Sequence, residues 1–135
     1  MSAENVETIV RLVDVLNLHE PTEEDFAPFV TPDWTGTNVA TAVTDKTYHG
    51  AAGILRWRQD LFDVFAEGVR FEGGVVADGA DFVVTWKAIS GKGAGSGAPL
   101  TLRFAGLHWF EGRRIRRSVG YVHRSEALKA AGVVA

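Results

Sequence analysis

The chain has 135 residues, of which 46% are apolar and 23% are charged, so it fits a single domain over residues 1–135 and excludes an intrinsically disordered chain. The absence of cysteine excludes a disulfide framework, a thiolate zinc site and a cysteine nucleophile. A net charge of −3, with no secretory signal and no apolar stretch of about 18 residues, predicts a cytoplasmic protein that binds neither nucleic acid nor a membrane.

The first half of the chain is predicted to be mainly helical. Thr22, followed by three acidic residues, matches a capping box that starts a short second helix. Residues 34–43 are rich in Thr, Val and Trp, which indicates a strand or an extended arm. A third helix is predicted to start near Gly50 and to end with Gly68 at its C′ position. The first helix is indicated by apolar residues at helical spacing: Val6, Ile9, Val10, Val13 and Leu16.

The second half of the chain is predicted to form strands. Asp78-Gly79 is a strong hairpin signal, and a glycine-rich loop spans residues 91–99. A short closing helical turn is predicted over residues 125–131. Three helices followed by consecutive strands indicate an α+β fold, a curved antiparallel sheet with the helices on its concave face and a pocket between them. The predicted strands cover residues 69–76, 82–89, 100–110 and 115–123.

The alternation of residues 100–110 predicts which side of this strand faces the pocket. The side opposite the predicted pocket side begins with polar Thr101 and Arg103 and ends with apolar Leu107 and Trp109. That pattern predicts packing against a second subunit, and hence a homodimer. The same reasoning does not assign a face to Trp86, because both faces of residues 82–89 carry apolar side chains. The predicted pocket side carries Leu100, Leu102, Phe104, Gly106, His108 and Phe110.

Several segments, taken in order, resemble the SnoaL-like branch of the NTF2-like superfamily over most of the chain. That resemblance implies a cone-shaped α+β fold. It also implies one of several functions: polyketide ring closure, ketosteroid isomerisation, epoxide hydrolysis, dehydration, or ligand binding without catalysis. The segments are Pro32-Asp33-Trp34, residues 49–54, 78–84 and 97–104, and residues 110–115 followed by Tyr121 and residues 126–128.

The chain departs from the resembled enzymes at the acidic positions. Gly120 stands where the cyclases and epoxide hydrolases carry an aspartate on the last strand. Asn38 stands where the isomerases carry a general-base aspartate, and Gly106 where they carry a protonated one. Because asparagine cannot act as a base, an isomerase of that design is disfavoured.

His108 and Asn38 are the candidate catalytic residues. An imidazole titrates near neutral pH, so His108 is a candidate general acid or base, the alternative being a buried histidine in a cavity wall. Asn38 can hold a substrate carbonyl or a developing enolate, the alternative being an asparagine that caps local backbone.

Five further residues are candidate substrate-binding residues. Trp34 and Trp57 are predicted to shape the pocket for a flat, polycyclic ligand, although Trp57 also suits a plain core role. Arg58 lies on the apolar stripe of the third helix, where it either binds a carboxylate or enolate or extends to the rim. Phe62 and Phe104 are predicted to line the pocket or the core.

These residues predict a small enzyme that acts without a cofactor on a hydrophobic cyclic or polyketide-like molecule. It would promote cyclisation or isomerisation by proton transfer in a dry pocket. No metal is expected, because no two histidines have metal-ligand spacing. Two alternatives stay open, a non-catalytic ligand-binding module with the same pocket and a dimerisation module with a vestigial one.

Overall fold

The computed structural model describes residues 2–38 and 47–133, and it has the predicted α+β architecture. The helices are α1 (Ser2–Leu16), α2 (Glu23–Phe26), α3 (Gly50–Phe62) and α4 (Arg124–Ala130), with a 3₁₀ turn at Ala27–Phe29. The strands are β1 (Val30–Asn38), β2 (Thr47–His49), β3 (Phe65–Asp78), β4 (Phe82–Gly93), β5 (Pro99–Glu111) and β6 (Arg114–Tyr121). Within the described ranges, no helix combines the length and the apolar character needed to cross a membrane.

The six strands form one curved sheet in the order β2-β1-β6-β5-β4-β3. Strands β3 to β6 are the predicted antiparallel meander. The sheet is mixed, however, because β1 pairs parallel with β6. This parallel pair brings the end of β1 beside the end of β6, with Asn38 opposite Gly120.

The core lies between the concave face of the sheet and helices α1 and α3. The predicted stripe of α1 is confirmed at Ile9 and Leu16, which are buried, but it is wrong at Val10, which is more than half exposed. Leu12, which was not part of the predicted stripe, is buried beside them. Ile54 of α3 is buried in the same core. Each fully buried side chain of this size contributes about 1.5–3 kcal/mol of transfer free energy.

The predicted role of Gly68 at the end of a helix is wrong. Helix α3 ends at Phe62, and β3 begins at Phe65, before this glycine. Gly68 has a φ of 68° and lies in β3 where three steps from Glu67 to Arg70 oppose two steps on β4. It therefore provides the left-handed conformation of a β-bulge, a second setting that favours glycine.

Helix α4 covers part of the outer face of the sheet. Its Ala127 is fully buried against Val84, Ala105 and Leu107. The apolar end of the outer side of β5 is thus covered by the same chain, and this accounts for part of the pattern that predicts a second subunit. Trp86 lies on this outer face and is 38% exposed.

Candidate functional site

A cavity of about 80 Å³ lies where the concave face of the sheet meets α1 and α3. Its volume is below the roughly 300–1,000 Å³ of pockets for drug-sized ligands, and below the roughly 150 Å³ of an engineered cavity that takes benzene. A ring system larger than this volume could therefore bind only if side chains of the wall moved or if part of the ligand extended out of the cavity into solvent. The apolar part of the wall includes Leu12, Leu16, Trp34, Ile54, Trp57 and Phe104.

His108 lies in the wall of this cavity, on the side of β5 that the alternation predicts, and it is 5% exposed. Its Nδ1 is 2.7 Å from the Oγ of Ser118 on the neighbouring strand β6. Its Nε2 is 3.5 Å from the Oγ1 of Thr85 on the other neighbouring strand, β4. The imidazole is thus held in place from both sides of its own strand.

Ser118 connects His108 to Trp34. The Nε1–H of Trp34 donates to the Ser118 Oγ at 3.2 Å. Because the hydroxyl can donate or accept, it satisfies Nδ1 of His108 in either tautomer. Only the tautomer with a proton on Nδ1 leaves a lone pair on Nε2, and in that tautomer the Ser118 oxygen accepts two N–H groups.

The environment keeps the imidazole of His108 neutral. Burial is the main cause that lowers the pKa of His108 well below 6.5, and the positive charge of Lys87 lowers this pKa further. Neutral imidazole at pH 7 can accept a proton, but its lowered pKa makes it a weak base.

Lys87, like Ser118, is a polar residue of this wall that the sequence analysis did not single out. It lies on β4, two residues after the buried Thr85 and two before the buried Ile89, so all three face the concave side. Burial lowers the pKa of Lys87 to about 8. No acidic side chain lines the cavity, and Lys87 has no ion-pair partner among the residues that the structure describes.

Gly106 makes the close approach of these groups possible. A Cβ at this position would lie 2.8 Å from the Oγ1 of Thr85, 2.9 Å from the Nε2 of His108 and 3.0 Å from the Cε of Lys87. The absence of a side chain therefore leaves a small space that the three groups surround.

Three of the predicted substrate-binding residues line the cavity: Trp34, Trp57 and Phe104. The ring of Trp34 packs directly over Gly36, which reduces the space inside the cone. Trp57 packs against Phe71 with ring centroids 5.9 Å apart, so it belongs to the core as well as to the wall. These rings shape a narrow cavity rather than a wide slot.

The other two predicted substrate-binding residues lie outside the cavity wall. The Nε of Arg58 donates to the carbonyl oxygen of Leu16 at 2.9 Å, and its Nη2 donates to that of Leu18 at 2.8 Å. The guanidinium also lies 4.3 Å from the ring centroid of Phe62, which is 37% exposed. Arg58 therefore satisfies carbonyl groups where α1 ends.

The backbone of Asn38 ends β1, but its side chain lies outside the described part of the structure. Its strand partner Gly120 lines the cavity and brings no acidic group to it. Across residues 2–38 and 47–133, no three His, Cys, Asp or Glu side chains come together in a way that could hold a metal ion.

Comparison with known proteins supports this fold and assigns a family. The family described as SnoaL-like domain matches residues 9–118. No protein with a curated description matches the chain.

The chain is similar to solved structures at a sequence identity that supports the fold alone. A protein from Jannaschia sp. CCS1, provisionally described as a SnoaL-like polyketide cyclase, is 17% identical with a TM-score of 0.72, over 89% of this chain and 85% of the other. A protein with a ketosteroid isomerase-like fold from Catenulispora acidiphila, in complex with trimethylamine, is 18% identical with a TM-score of 0.71, over 95% and 94%. TerC, co-crystallised with polyporic acid, is 17% identical with a TM-score of 0.72, over 93% and 96%.

Proposed function

Because the chain belongs to the SnoaL-like domain family, we propose that it binds a hydrophobic cyclic or polyketide-like small molecule and promotes its isomerisation or cyclisation without a cofactor. The observation that carries the proposal is the neutral imidazole of His108, which is held in the wall of an otherwise mainly apolar cavity. Removal of the ligand from water strengthens every polar interaction at that point.

In this proposal His108 moves the proton. Its Nδ1–H donates to Ser118, and its Nε2 accepts a proton from the carbon next to a carbonyl group of the ligand. Trp34, Trp57 and Phe104 hold the carbon skeleton against this nitrogen. Asn38 remains a proposed hydrogen-bond donor to the ligand oxygen, on the grounds of the family resemblance.

The proton transfer can be measured with cyclopentanone, a small cyclic carbonyl compound. The full chain in D₂O is expected to accelerate exchange of the hydrogens beside the carbonyl, followed by ¹H NMR. His108→Ala is expected to lower this exchange by at least about tenfold, the effect of losing a general base. His19→Ala, which changes a histidine with a side chain 96% exposed, is the matched control. Equal exchange in both variants would remove His108 from the mechanism.

Gly106→Ala tests whether the ligand occupies the space beside His108. The added methyl group would lie within about 3 Å of Thr85, His108 and Lys87. We expect it to weaken cyclopentanone binding, measured by NMR titration, by at least about tenfold, because the space is filled and the surrounding side chains must shift. Gly74→Ala is the control, since its methyl group meets the exposed ring of Trp86 on the outer face. Unchanged binding by Gly106→Ala would move the ligand elsewhere.

A non-catalytic ligand-binding module is the second candidate function, and Gly120 in the cavity wall favours it. Binding of cyclopentanone without any accelerated exchange would support this second function.

We also propose that the chain forms a homodimer, with the exposed Trp86 of the outer face in the interface. A single species of 14.6 kDa in sedimentation at micromolar concentration would contradict the dimer.

A further inference from the structure

Lys87 is the group in the cavity that the proposed proton transfer leaves without a chemical role. Its Cε and the Nε2 of His108 both lie within about 3 Å of the position that a Cβ of Gly106 would occupy. The Cε of Lys87, one bond from the amine nitrogen, therefore borders the same small space as the imidazole. Apart from His108 and Lys87, the titratable side chain in the described wall is Tyr48, whose hydroxyl donates to Asp60 at 2.7 Å.

Lys87 has no ion-pair partner among the residues that the structure describes, so a role in stabilising the fold does not account for its position. A lysine that supported the fold would pair with a carboxylate, since burial of an unpaired ammonium is unfavourable. None of the described wall residues is acidic. With a pKa of about 8, roughly a tenth of the Lys87 side chains carry a free amine at pH 7. A free lysine amine in an apolar pocket is a nucleophile towards carbonyl groups.

His108 alone is poorly matched to the proposed reaction. Burial and the charge of Lys87 both make its imidazole a weak base. The C–H bond beside an ordinary ketone is a very weak acid, so a weak base needs an acceptor for the electrons that the departing proton leaves behind. A protonated imine at the carbonyl carbon is such an acceptor.

We propose that the amine of Lys87 condenses with an aldehyde or ketone group of the ligand to form an imine, beside which His108 removes the proton. This inference rests on the proposed function and names its substrate class as carbonyl compounds that react covalently. It assigns to the pair two complementary tasks, activation of the carbonyl carbon by Lys87 and proton transfer by His108.

The reaction is balanced without an oxidant or a reductant. The Nζ lone pair attacks the carbonyl carbon, the π electrons move to the oxygen, and a proton moves from nitrogen to that oxygen. A proton from solvent, equivalent to the one that the Lys87 ammonium releases before the attack, is added to the hydroxyl group. The C–O bond then breaks, and one water leaves as the protonated imine forms. Nε2 of His108 takes the adjacent proton to give an enamine, in which the carbon is the nucleophile for isomerisation or ring closure. Reprotonation and addition of water return the free amine and a carbonyl product.

Reductive trapping tests the imine directly. The full chain is incubated with cyclopentanone and cyanoborohydride between pH 6 and pH 10, and the products are analysed by intact mass and peptide mapping. We expect one cyclopentyl group on Lys87, with a rate that rises up to about pH 8 and then levels off. At pH 8 the rate at Lys87 should exceed that at the exposed Lys129 by at least about tenfold, because about half of the Lys87 side chains carry a free amine at that pH and the cavity holds the ketone beside them.

Lys87→Arg and Lys129→Arg form the matched pair of variants. Each keeps a positive charge and removes one primary amine, and only Lys87→Arg should abolish the fast labelling. If Lys87→Arg does not fold, peptide mapping of the unsubstituted chain still compares the labelling rates at Lys87 and Lys129. Labelling that is no faster at Lys87 than at Lys129, while NMR shows the ketone bound, would overturn the imine. The same result is expected if Lys87 only binds an anionic group of the ligand through its ammonium group.

The two proposals can fail separately. Fast labelling of Lys87 together with unchanged exchange in His108→Ala would support the imine and overturn the proton transfer by His108. Exchange that depends on His108 without labelling of Lys87 would overturn the imine and leave the proposed function in place. Absence of both binding and labelling of cyclopentanone would overturn both.

Discussion

Lys87→Met is expected to raise the free energy of unfolding at pH 7 by about 3 kcal/mol. The substitution replaces an ammonium with an apolar side chain of similar length in an apolar wall. The pKa of Lys87 is about 8 in the folded chain and 10.5 as an ordinary lysine. The folded state therefore carries the full cost of burying the charge below pH 8, and methionine removes this cost.

The same argument fixes the pH dependence of the effect. Between pH 8 and pH 10.5 the unfolded chain binds more protons at Lys87 than the folded chain, so the stability of the unsubstituted protein rises across this range. The advantage of Lys87→Met should shrink accordingly and vanish above pH 10.5. Urea unfolding at several pH values measures both quantities.

Lys129→Met is the control for this measurement, because Lys129 is exposed on α4. Its effect should stay within about 0.5 kcal/mol at every pH. A Lys87→Met variant that is less stable than the unsubstituted chain at pH 7 would contradict the argument. It would mean that the charge of Lys87 is satisfied by a partner in solution.

Arg58→Met is expected to lower the free energy of unfolding by about 3 kcal/mol. Arg58 is 7% exposed, and its two hydrogen bonds to the carbonyls of Leu16 and Leu18 join α3 to the end of α1. Hydrogen bonds from a charged donor each contribute roughly 1.5–3 kcal/mol, and methionine leaves both carbonyls without this donor. Denaturant unfolding at neutral pH measures the loss.

A neighbouring arginine provides the comparison for Arg58. Arg56 also lies on α3, but its side chain is 65% exposed and pairs with Asp60 one turn away at 3.1 Å. Arg56→Met should cost about 0.5 kcal/mol or less, because exposed pairs of this kind contribute little. Equal losses in the two variants would show that the contacts of Arg58 with α1 are not what stabilises the fold.

The alternation of β5 was sufficient to predict that Phe104 and His108 face the cavity. Lys87 was missed because both faces of β4 carry apolar side chains, so its own pattern does not assign a face. The assignment follows from pairing, since Thr85 lies opposite Gly106 and Lys87 opposite Phe104. The register between two strands is a tertiary property, and the alternation of one strand alone does not contain it.

Other differences have related physical causes. Helical periodicity shows that Arg58 faces inward, but its partners are backbone carbonyls 40 and 42 residues away. A positive φ suits both a helix end and a β-bulge, so Gly68 alone could not distinguish them. The order of helices and strands indicated a cavity, whereas its size depends on how Trp34 packs over Gly36.

The Ser118 hydroxyl joins Trp34 of β1 to His108 of β5, and Trp34 and Ser118 are 84 residues apart in the chain. Because β1 adds to the sheet beside the last strand, this link cannot form until most of the chain is available. Contacts between residues so far apart in the sequence form slowly, because the chain loses the entropy of the long intervening loop before the contact contributes any stabilising free energy. During synthesis, the cavity wall around the imidazole is therefore among the last parts of the molecule to form, because it is completed when β1 pairs with β6 of the final hairpin.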